Sequence, residues 1–312
     1  MSNVVRMISA SKSDFEKMSP MDLKASIYAS EGRVIMSQHM AFMPGDIFGV
    51  TNTEVVFASG CDMSMINSYD FDHPENNRFL QGHSFQEIKA RVNRPLGFYI
   101  GCPKVVDGKV ADDKDSIYKL SGTIASVEHF KKAKELGGDF IILGGNPGTG
   151  TSLKDIVYWT KVAKDLYGDD IFVFAGKWED GVREKVLGDP MADYDTKQMI
   201  RDLIDAGADC IDLPAPGSRH GITVEMMREL TEYIHRYKEG TLVMSFLDSS
   251  VEGADPDTIR QITLMMKQTG CDIHAIGDGG VGGMSDPDNI YQMSLTLRGK
   301  LKTWFRIAST NR

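Results

Sequence analysis

The chain has 312 residues, a formal net charge of −9 at pH 7 and 41% hydrophobic residues. Nucleic acids are bound largely by Lys and Arg side chains that neutralise phosphates, so an acidic chain without a basic block argues against a nucleic-acid-binding protein. No run of about 18 apolar residues indicates a membrane span, and the N-terminus lacks the apolar core of a signal peptide. The four cysteines have no CxxC spacing, which is typical of reduced thiols, and the expected location is the cytoplasm.

Eight short apolar segments predict β-strands. Several are apolar nearly throughout, as are parallel strands that are buried on both faces of a sheet. In chain order the segments begin at Arg33, Met63, Arg94, Asp139, Asp170, Cys210, Thr241 and Ile273. Amphipathic helical segments separate most of them, and several of these begin at a capping Asp or Thr and end at Gly.

A weak internal repeat precedes every second strand. The segments SGCDMSMIN, LGGDFIILG, AGADCIDLP and TGCDIHAIG share a helix-ending Gly, a small residue, an Asp and then a strand. The aspartates are Asp62, Asp139, Asp209 and Asp272, at near-equal spacing. Four such βαβα units indicate a closed ring of strands rather than an open sheet. The alternative is that any loop from a helix to a strand favours Gly-x-Asp.

Eight βα units match a (β/α)8 TIM barrel, which typically takes about 250 residues. We expect one α/β domain over residues 1–312, with residues 1–32 as an N-terminal helical extension. Its two short helices could cover the bottom of the barrel. A doubly wound open sheet is the alternative, but its first βα turn should carry GxGxxG, which is missing here.

The loops after strands seven and eight are candidates for phosphate binding. TIM barrels often bind phosphate there, through backbone N–H groups and a helix N-terminus. Glycines let the backbone approach an anion closely, and serines can add donors. The candidate residues are Ser249, Ser250, Gly279, Gly280, Gly282 and Gly283. The alternative is a tight glycine-rich connection that binds no ligand.

Two further loops could contact substrate. Strand four ends in GGNPGTGTS, which is not a nucleotide P-loop because no lysine precedes Thr151. In this loop Asn146 and Thr149 could hydrogen-bond hydroxyl groups, or serve only as turn formers. Arg219, after strand six, could hold an anionic substrate through two hydrogen bonds, or be a solvated loop residue.

Three residues are candidates for proton transfer or carbonyl activation. Lys177 directly follows an apolar strand, where desolvation could make it a Schiff-base nucleophile. It could also contact an anionic substrate or be purely structural. His39 lies near the end of strand one, and Asp212 lies within strand six, where an inward-pointing carboxylate would need a partner.

Strand two is followed by an acidic segment that is the best candidate for a metal site. Its Asp70 and Asp72 could bind Mg²⁺, because hard cations take carboxylate oxygens. The chain has no HxH or HExxH motif, so the sequence gives no support for zinc.

Several motifs resemble those of a bacterial family of TIM-barrel proteins of unassigned function. They are LKASIYASEGRVI, GGNPGTGTS, LPAPGS, EGADPDTIRQITLMMKQTGCDIHAIGDGG and SLTLRGK, and the resemblance covers nearly the whole chain. Members of that family tend to lie near sugar-uptake genes. More distantly, the chain is similar to BtpA-like barrels and to the phosphoenolpyruvate mutase/isocitrate lyase group, whose Mg²⁺-binding aspartates do not match positions here. The resemblance implies a barrel and suggests phosphorylated sugars, and it assigns no catalytic residue.

Three hypotheses for function follow. The leading one is an enzyme that acts on a phosphorylated small molecule, first of all a sugar phosphate, by lyase, aldolase or isomerase chemistry. The second is an FMN-binding oxidoreductase, since GDGG after strand eight is similar to flavoprotein barrels. The third is a non-catalytic barrel that senses a sugar phosphate. Trp304 and Phe305 could pack on a second copy, forming a homo-oligomer, or on the barrel itself.

Overall fold

The computed structural model describes residues 4–111, 121–146, 148–179 and 181–309. Eight parallel strands form a closed barrel in which the strand order follows the chain, and β1 pairs with both β2 and β8. The strands are β1 (Val34–Met40), β2 (Met63–Asn67), β3 (Leu96–Gly101), β4 (Ile141–Gly144), β5 (Val173–Gly176), β6 (Cys210–Pro214), β7 (Leu242–Leu247) and β8 (Ile273–Ile276). The predicted TIM-barrel fold is therefore confirmed.

Two helices precede the barrel, and one helix follows each strand. They are α1 (Lys12–Phe15), α2 (Pro20–Tyr28), α3 (Asn52–Ala58), α4 (Phe85–Val92), α5 (Val127–Glu135), α6 (Leu153–Tyr167), α7 (Thr196–Asp205), α8 (Val224–Tyr237), α9 (Pro256–Gln268) and α10 (Pro287–Ala308). Most begin at a Ser, Thr or Asp whose side chain accepts a hydrogen bond from the first turn. Helix α10 is interrupted at Gly299, where φ is +72°. None of the described helices is long and apolar enough to cross a membrane.

The barrel interior is filled by large apolar side chains from alternate positions of the strands. Those side chains include Val34, Met36, Met63, Met65, Ile142, Phe172, Phe174, Leu242 and Met244. Met7, Leu23 and Ile27 belong to the same buried cluster. The N-terminal segment therefore covers the bottom of the barrel, and the C-terminal ends of the strands form the opposite face, where TIM barrels place their sites.

The four repeat aspartates share one structural role. Each accepts a hydrogen bond from the backbone N–H of a residue at the start of the preceding odd-numbered strand, and its own N–H donates to that residue's carbonyl. The pairs are Asp62 with Ile35 (2.9 Å), Asp139 with Leu96 (2.8 Å), Asp209 with Val173 (3.1 Å) and Asp272 with Val243 (2.8 Å). These reciprocal bonds fix each odd-numbered strand to the next at the bottom of the barrel.

Each of these carboxylates also has a basic partner. Lys89 pairs with Asp139, Lys24 and Lys164 with Asp209, and His235 with Asp272. Asp62 is fully buried between Arg298 (2.6 Å) and Arg306 (2.7 Å) of α10. Although burial alone would raise the pKa of Asp62, the two guanidinium groups hold it below its ordinary value. The bottom face is thus tied together by charge as well as by backbone hydrogen bonds.

The C-terminal half of α10 carries apolar surface. Trp304 is 54% exposed and Leu301 is 82% exposed, whereas Phe305 is half-buried beneath Lys302. Contact of Trp304 with a second copy of the chain stays a prediction.

We expect Asp62→Asn to destabilise the protein by about 3–5 kcal/mol, because it leaves two buried arginines without a counter-charge. Asp139→Asn should cost about 1 kcal/mol, since Lys89 is partly exposed and the Leu96 N–H can still find an acceptor. Urea unfolding of both variants measures the difference. An Asp62→Asn loss no larger than that of Asp139→Asn would show that the charge of Asp62 is unimportant.

Candidate functional site at the barrel mouth

An aromatic layer closes the barrel interior below the mouth. Trp178, just after β5, is 1% exposed and stacks on Phe246 of β7 with ring centroids 4.9 Å apart. The ring of Tyr99 from β3 meets Trp178 edge-on at 5.6 Å. A Cβ at Gly144 would lie 3.0–3.1 Å from Tyr99 and Trp178, so the small residue at the end of β4 makes room for the layer. These three rings form what we call the aromatic floor.

Asp212 lies inside the barrel beneath the aromatic floor. Its strand partners are Gly176 and Met244, and the next inward positions of those strands toward the mouth are Trp178 and Phe246. The side chain is fully buried, and within the described residues neither carboxyl oxygen has a hydrogen-bond partner. Burial raises the pKa of Asp212 well above its ordinary value, because a carboxylate is costly away from water. Asp212 therefore points inward without, in the described part of the chain, the partner that such a carboxylate was expected to have, and the floor separates it from a substrate at the mouth.

Two carboxyl groups stand above the floor at the ends of adjacent strands. Asp248 follows β7, and its Oδ2 lies 3.4 Å from Nη2 of Arg219. Asp278 follows β8, and its Oδ2 accepts a hydrogen bond from Nδ2 of Asn67 at 3.1 Å. Asn67 is the last residue of β2, so these groups bring together three strand ends and the loop after β6. Arg219 is therefore placed at the mouth, as the sequence predicts.

The environment brings the pKa of both carboxyls close to neutrality. Burial raises the pKa of Asp248 to about 7, against the lowering effect of Arg219, and Glu252 adds a smaller increase. Burial also raises the pKa of Asp278 to about 6, against the hydrogen bond from Asn67. Carboxyls that titrate near pH 7 can take up and release protons in a reaction, and such groups are frequent in active sites.

Strained backbone supports the position of Asp248. Ser249 and Ser250 both have φ of +69°, in the left-handed region that is costly for residues other than glycine. The Ser249 hydroxyl donates to Asp248 Oδ1 at 3.2 Å. Local strain of this kind is concentrated at functional sites. The serines of the sequence-based phosphate site therefore lie at the mouth, and one of them contacts a carboxylate.

The glycines after β8 have internal packing reasons. A Cβ at Gly280 would lie 2.5–2.6 Å from backbone atoms of Asp286 and Met284. Gly282 and Gly283 have positive φ and pack against the side chains of Asp46 and Met43 in the loop after β1. The conformations of these glycines are explained by contacts within the chain, and the acidic neighbour of Gly282 disfavours an anion there.

Lys177 does not lie at the mouth. It sits between the inward positions of Gly176 and Trp178, so its side chain points away from the barrel axis, and it is 1% exposed. Its ammonium group donates to the carbonyl of Thr151 at 2.6 Å and lies 3.9 Å from Glu184. The expectation that Lys177 attacks a substrate is corrected: the lysine anchors the segment before α6 to β5, because one residue further along a strand reverses the side-chain direction.

His39 is also directed away from the interior. It is fully buried between β1 and the surrounding helices, where its Nε2 shares a 2.9 Å hydrogen bond with Thr53 Oγ1 and its ring packs 5.0 Å from Phe79. Burial lowers the pKa of His39 to about 3, so the ring is neutral. The expected role in proton transfer at the mouth is not supported by this position.

The two aspartates expected to bind Mg²⁺ have other partners. Asp70 Oδ1 accepts from the backbone N–H groups of Asp72 and His73, and its Oδ2 accepts from Asn76. Asp72 pairs with Lys132 at 2.8 Å and with His129. No group of three or more His, Cys, Asp or Glu side chains in the described ranges could hold a metal ion. Asp70 thus holds the segment after β2 together, and Asp72 connects that segment to α5.

The loop after β4 forms a separate small cavity. Asn146 and Thr149 line a space of about 110 Å³ between the ends of β3 and β4. Thr149 Oγ1 donates to the carbonyl of Asn146 at 2.7 Å, and Thr151 Oγ1 donates to the carbonyl of Cys102. Drug-sized ligands fill about 300 Å³ or more, so this cavity fits one substituent of a ligand at most.

Sequence reasoning missed the contribution of Glu252. This residue lies in the 3₁₀ turn after β7, is 6% exposed, and raises the pKa of both Asp248 and Asp278. No motif marks it, because its importance comes from the contact between the loops of β7 and β8. The aromatic floor was missed for the same reason, as its members come from three distant strands.

The chain matches a family described as a domain of unknown function, DUF7916, over residues 8–312. It belongs to that family. No curated protein sequence matches the chain.

Solved structures with the same fold include a Burkholderia cenocepacia protein provisionally assigned as a lyase or mutase, 15% identical, with a TM-score of 0.51 over 86% of this chain and 83% of the other. A Schiff-base-forming fructose-1,6-bisphosphate aldolase is 12% identical, with a TM-score of 0.52 over 89% and 98%. The carboxyl transferase domain of Rhizobium etli pyruvate carboxylase, in a structure with pyruvate, is 12% identical, with a TM-score of 0.54 over 99% and 55%. At these identities the similarity shows the barrel fold.

Asp278→Asn should change the pH dependence of stability. The pKa of Asp278 rises from its ordinary value of 3.8 to about 6 on folding, so ionisation of the folded group costs about 3 kcal/mol. This cost is absent below about pH 4 and complete above about pH 6. We therefore expect the variant to be more stable than the wild type at pH 8 and no more stable at pH 4, by urea unfolding at each pH.

Asp165→Asn, at an exposed position of α6, is the control for that measurement. Its difference from the wild type should vary far less between the two pH values than that of Asp278→Asn, because the exposed ion pair with Lys161 contributes little. Equal effects of Asp278→Asn at pH 4 and pH 8 would contradict the burial of an ionisable group at this position.

Proposed function

We propose that the protein is an enzyme of the lyase or aldolase type whose active site is the barrel mouth above the aromatic floor. The observation that carries the proposal is the pair Asp248 and Asp278, at the ends of adjacent strands, with pKa values of about 7 and about 6, and with Arg219 next to Asp248. Two acids with separated, near-neutral pKa values are suited to the roles of general acid and general base.

The pKa values assign the two roles. At pH 7 Asp278 is largely ionised and can act as the base, whereas Asp248 is about half protonated and can act as the acid. In a retro-aldol cleavage, Asp278 takes the proton of a substrate hydroxyl, the adjacent C–C bond breaks, and its electron pair forms an enolate. Arg219 stabilises the enolate oxygen, and Asp248 returns a proton to the carbon. Protons and electrons balance without a redox partner.

The proposal does not use a Schiff base, because Lys177 is held away from the mouth by Thr151. The fold similarity to an aldolase and to a carboxyl transferase supports lyase chemistry as a class. The proposed substrate is a hydroxylated carbonyl compound, such as a sugar or a sugar acid, whose hydroxyl groups can donate to the acidic side chains. The phosphate of the sequence-based hypothesis is left out, because the backbone donors meant for it face Glu252.

The other hypotheses stay predictions. Binding of FMN would require a phosphate position in the same loops, and a yellow colour of the purified protein would reveal it. A requirement for Mg²⁺ is tested by activity before and after treatment with a chelator. A sensor without catalysis would show saturable binding of a sugar phosphate and no turnover.

The test is proton exchange at the carbon next to a carbonyl. The purified protein is incubated in deuterated water with a panel of hydroxyketones, aldoses and 2-oxo acids, and proton NMR follows exchange and cleavage. We expect exchange with at least one compound, with a rate that rises through about pH 6 and falls above about pH 7.

Asp278→Asn and Asp248→Asn should each lower that rate by about 10²–10⁴-fold, because each removes one proton-transfer group. Asp165→Asn on the surface of α6 is the matched control and should retain the wild-type rate. A wild-type rate in Asp278→Asn would exclude its role as base. No exchange with any compound of the panel would contradict the proposed reaction class.

A further inference from the structure

The side chain of Glu252 occupies the meeting point of the loops after β7 and β8. It is 6% exposed and belongs to a 3₁₀ turn, Val251–Gly253. The turn is fixed from α10, where Asn289 Nδ2 donates to the carbonyls of Glu252 and Ala254, each at 2.8 Å. Asn289 is itself buried. The position of the Glu252 carboxyl is therefore set by packing between two loops and a helix.

The carboxyl fills the space that an anion would take in these loops. A Cβ at Gly277 would lie 3.1 Å from Glu252 Oε1, and a Cβ at Gly279 would lie even closer to the same oxygen. The backbone N–H groups of Glu252, Gly279 and Ser250 face the carboxyl. Backbone amides at the strand-seven and strand-eight loops are the groups with which TIM barrels commonly hold phosphate. Here a side chain of the protein meets them.

A phosphate at this position would also meet negative charge. Asp248 and Asp278 lie near enough to Glu252 for its charge to raise the pKa of both. Arg219 is a basic side chain beside these carboxyl groups, and it is already paired with Asp248. Glu252 Oε2 is buried and, within the described residues, has no hydrogen-bond partner. The buried Nε of Arg219 also has no partner among those residues, so the site holds one unused acceptor on Glu252 and one unused donor on Arg219.

We propose that Glu252 is a specificity-determining residue that occupies the anion position of the mouth, excludes phosphate groups, and leaves its free Oε2 to accept from a hydroxyl or amino group of the ligand. The assignment of that ligand as a substrate rests on the proposed function. The exclusion of phosphate does not, and it can be tested without turnover.

The test uses inorganic phosphate as the probe. Wild type, Glu252→Ala, Glu252→Gln and the control Glu225→Ala are titrated with phosphate at pH 7.5 against chloride of equal ionic strength, by thermal shift and by calorimetry. Glu225 is exposed in the first turn of α8, at the same end of the barrel. A ligand that binds only the folded state raises the melting temperature.

We expect Glu252→Ala to bind phosphate at least about tenfold more tightly than the wild type, a difference of about 1.4 kcal/mol. Glu252→Gln should show a smaller gain, because it removes the charge but keeps the volume, and it covers the case in which the alanine variant does not fold. Glu225→Ala should match the wild type. Wild-type binding as tight as that of Glu252→Ala, or no gain in either Glu252 variant, would overturn the proposal. Neither result depends on whether the protein cleaves a substrate.

Discussion

The barrel depends on one repeated interaction, the reciprocal hydrogen bonds between an aspartate before each even-numbered strand and a residue at the start of the strand before it. The bond sets where the two strands begin relative to one another, and strand register in turn decides which side chains face the axis. Three of the aspartates pair with an Arg or Lys side chain of a helix, and Asp272 pairs with His235 of α8. Closure at the bottom is thus specified four times around the ring, and the arrangement of groups at the mouth follows from it.

The fold could be predicted from the sequence because it depends on local patterns. Apolar segments mark the strands, caps mark the helices, and the repeat of Gly-x-Asp indicates a closed barrel. All three features are present in the structure. Errors at the strand limits are small: the segments predicted from Asp139 and Asp170 begin before β4 and β5, because those aspartates belong to the turns that lead into the strands.

The site was harder to predict, because the sequence does not show which side chains at the strand ends point into the barrel and which point outward. Lys177 and His39 lie at the correct ends of their strands, but each sits at an alternate position whose side chain points toward the helices. Neighbouring residues of a strand face opposite sides, so a catalytic position and a structural one can differ by a single residue. Where both faces of the strand are buried, hydrophobicity does not show which face a residue is on. Glu252 and the aromatic floor are contacts between distant segments, so no local pattern marks them. Arg219 lies at the mouth, where the loop after β6 was expected to carry it, whereas Asp212 lies beneath the aromatic floor and away from the mouth.

The aromatic floor has a kinetic consequence for the acid beneath it. Asp212 is fully buried beneath the floor, so a proton passes between its carboxyl group and solvent only when Trp178 and Phe246 move apart or the barrel opens. After a rapid change of pH, the rate at which this carboxyl gains or loses its proton is therefore set by the rate of that opening. Slow uptake or release of one proton would therefore measure how often the barrel opens locally, a motion that the arrangement of strands alone does not reveal.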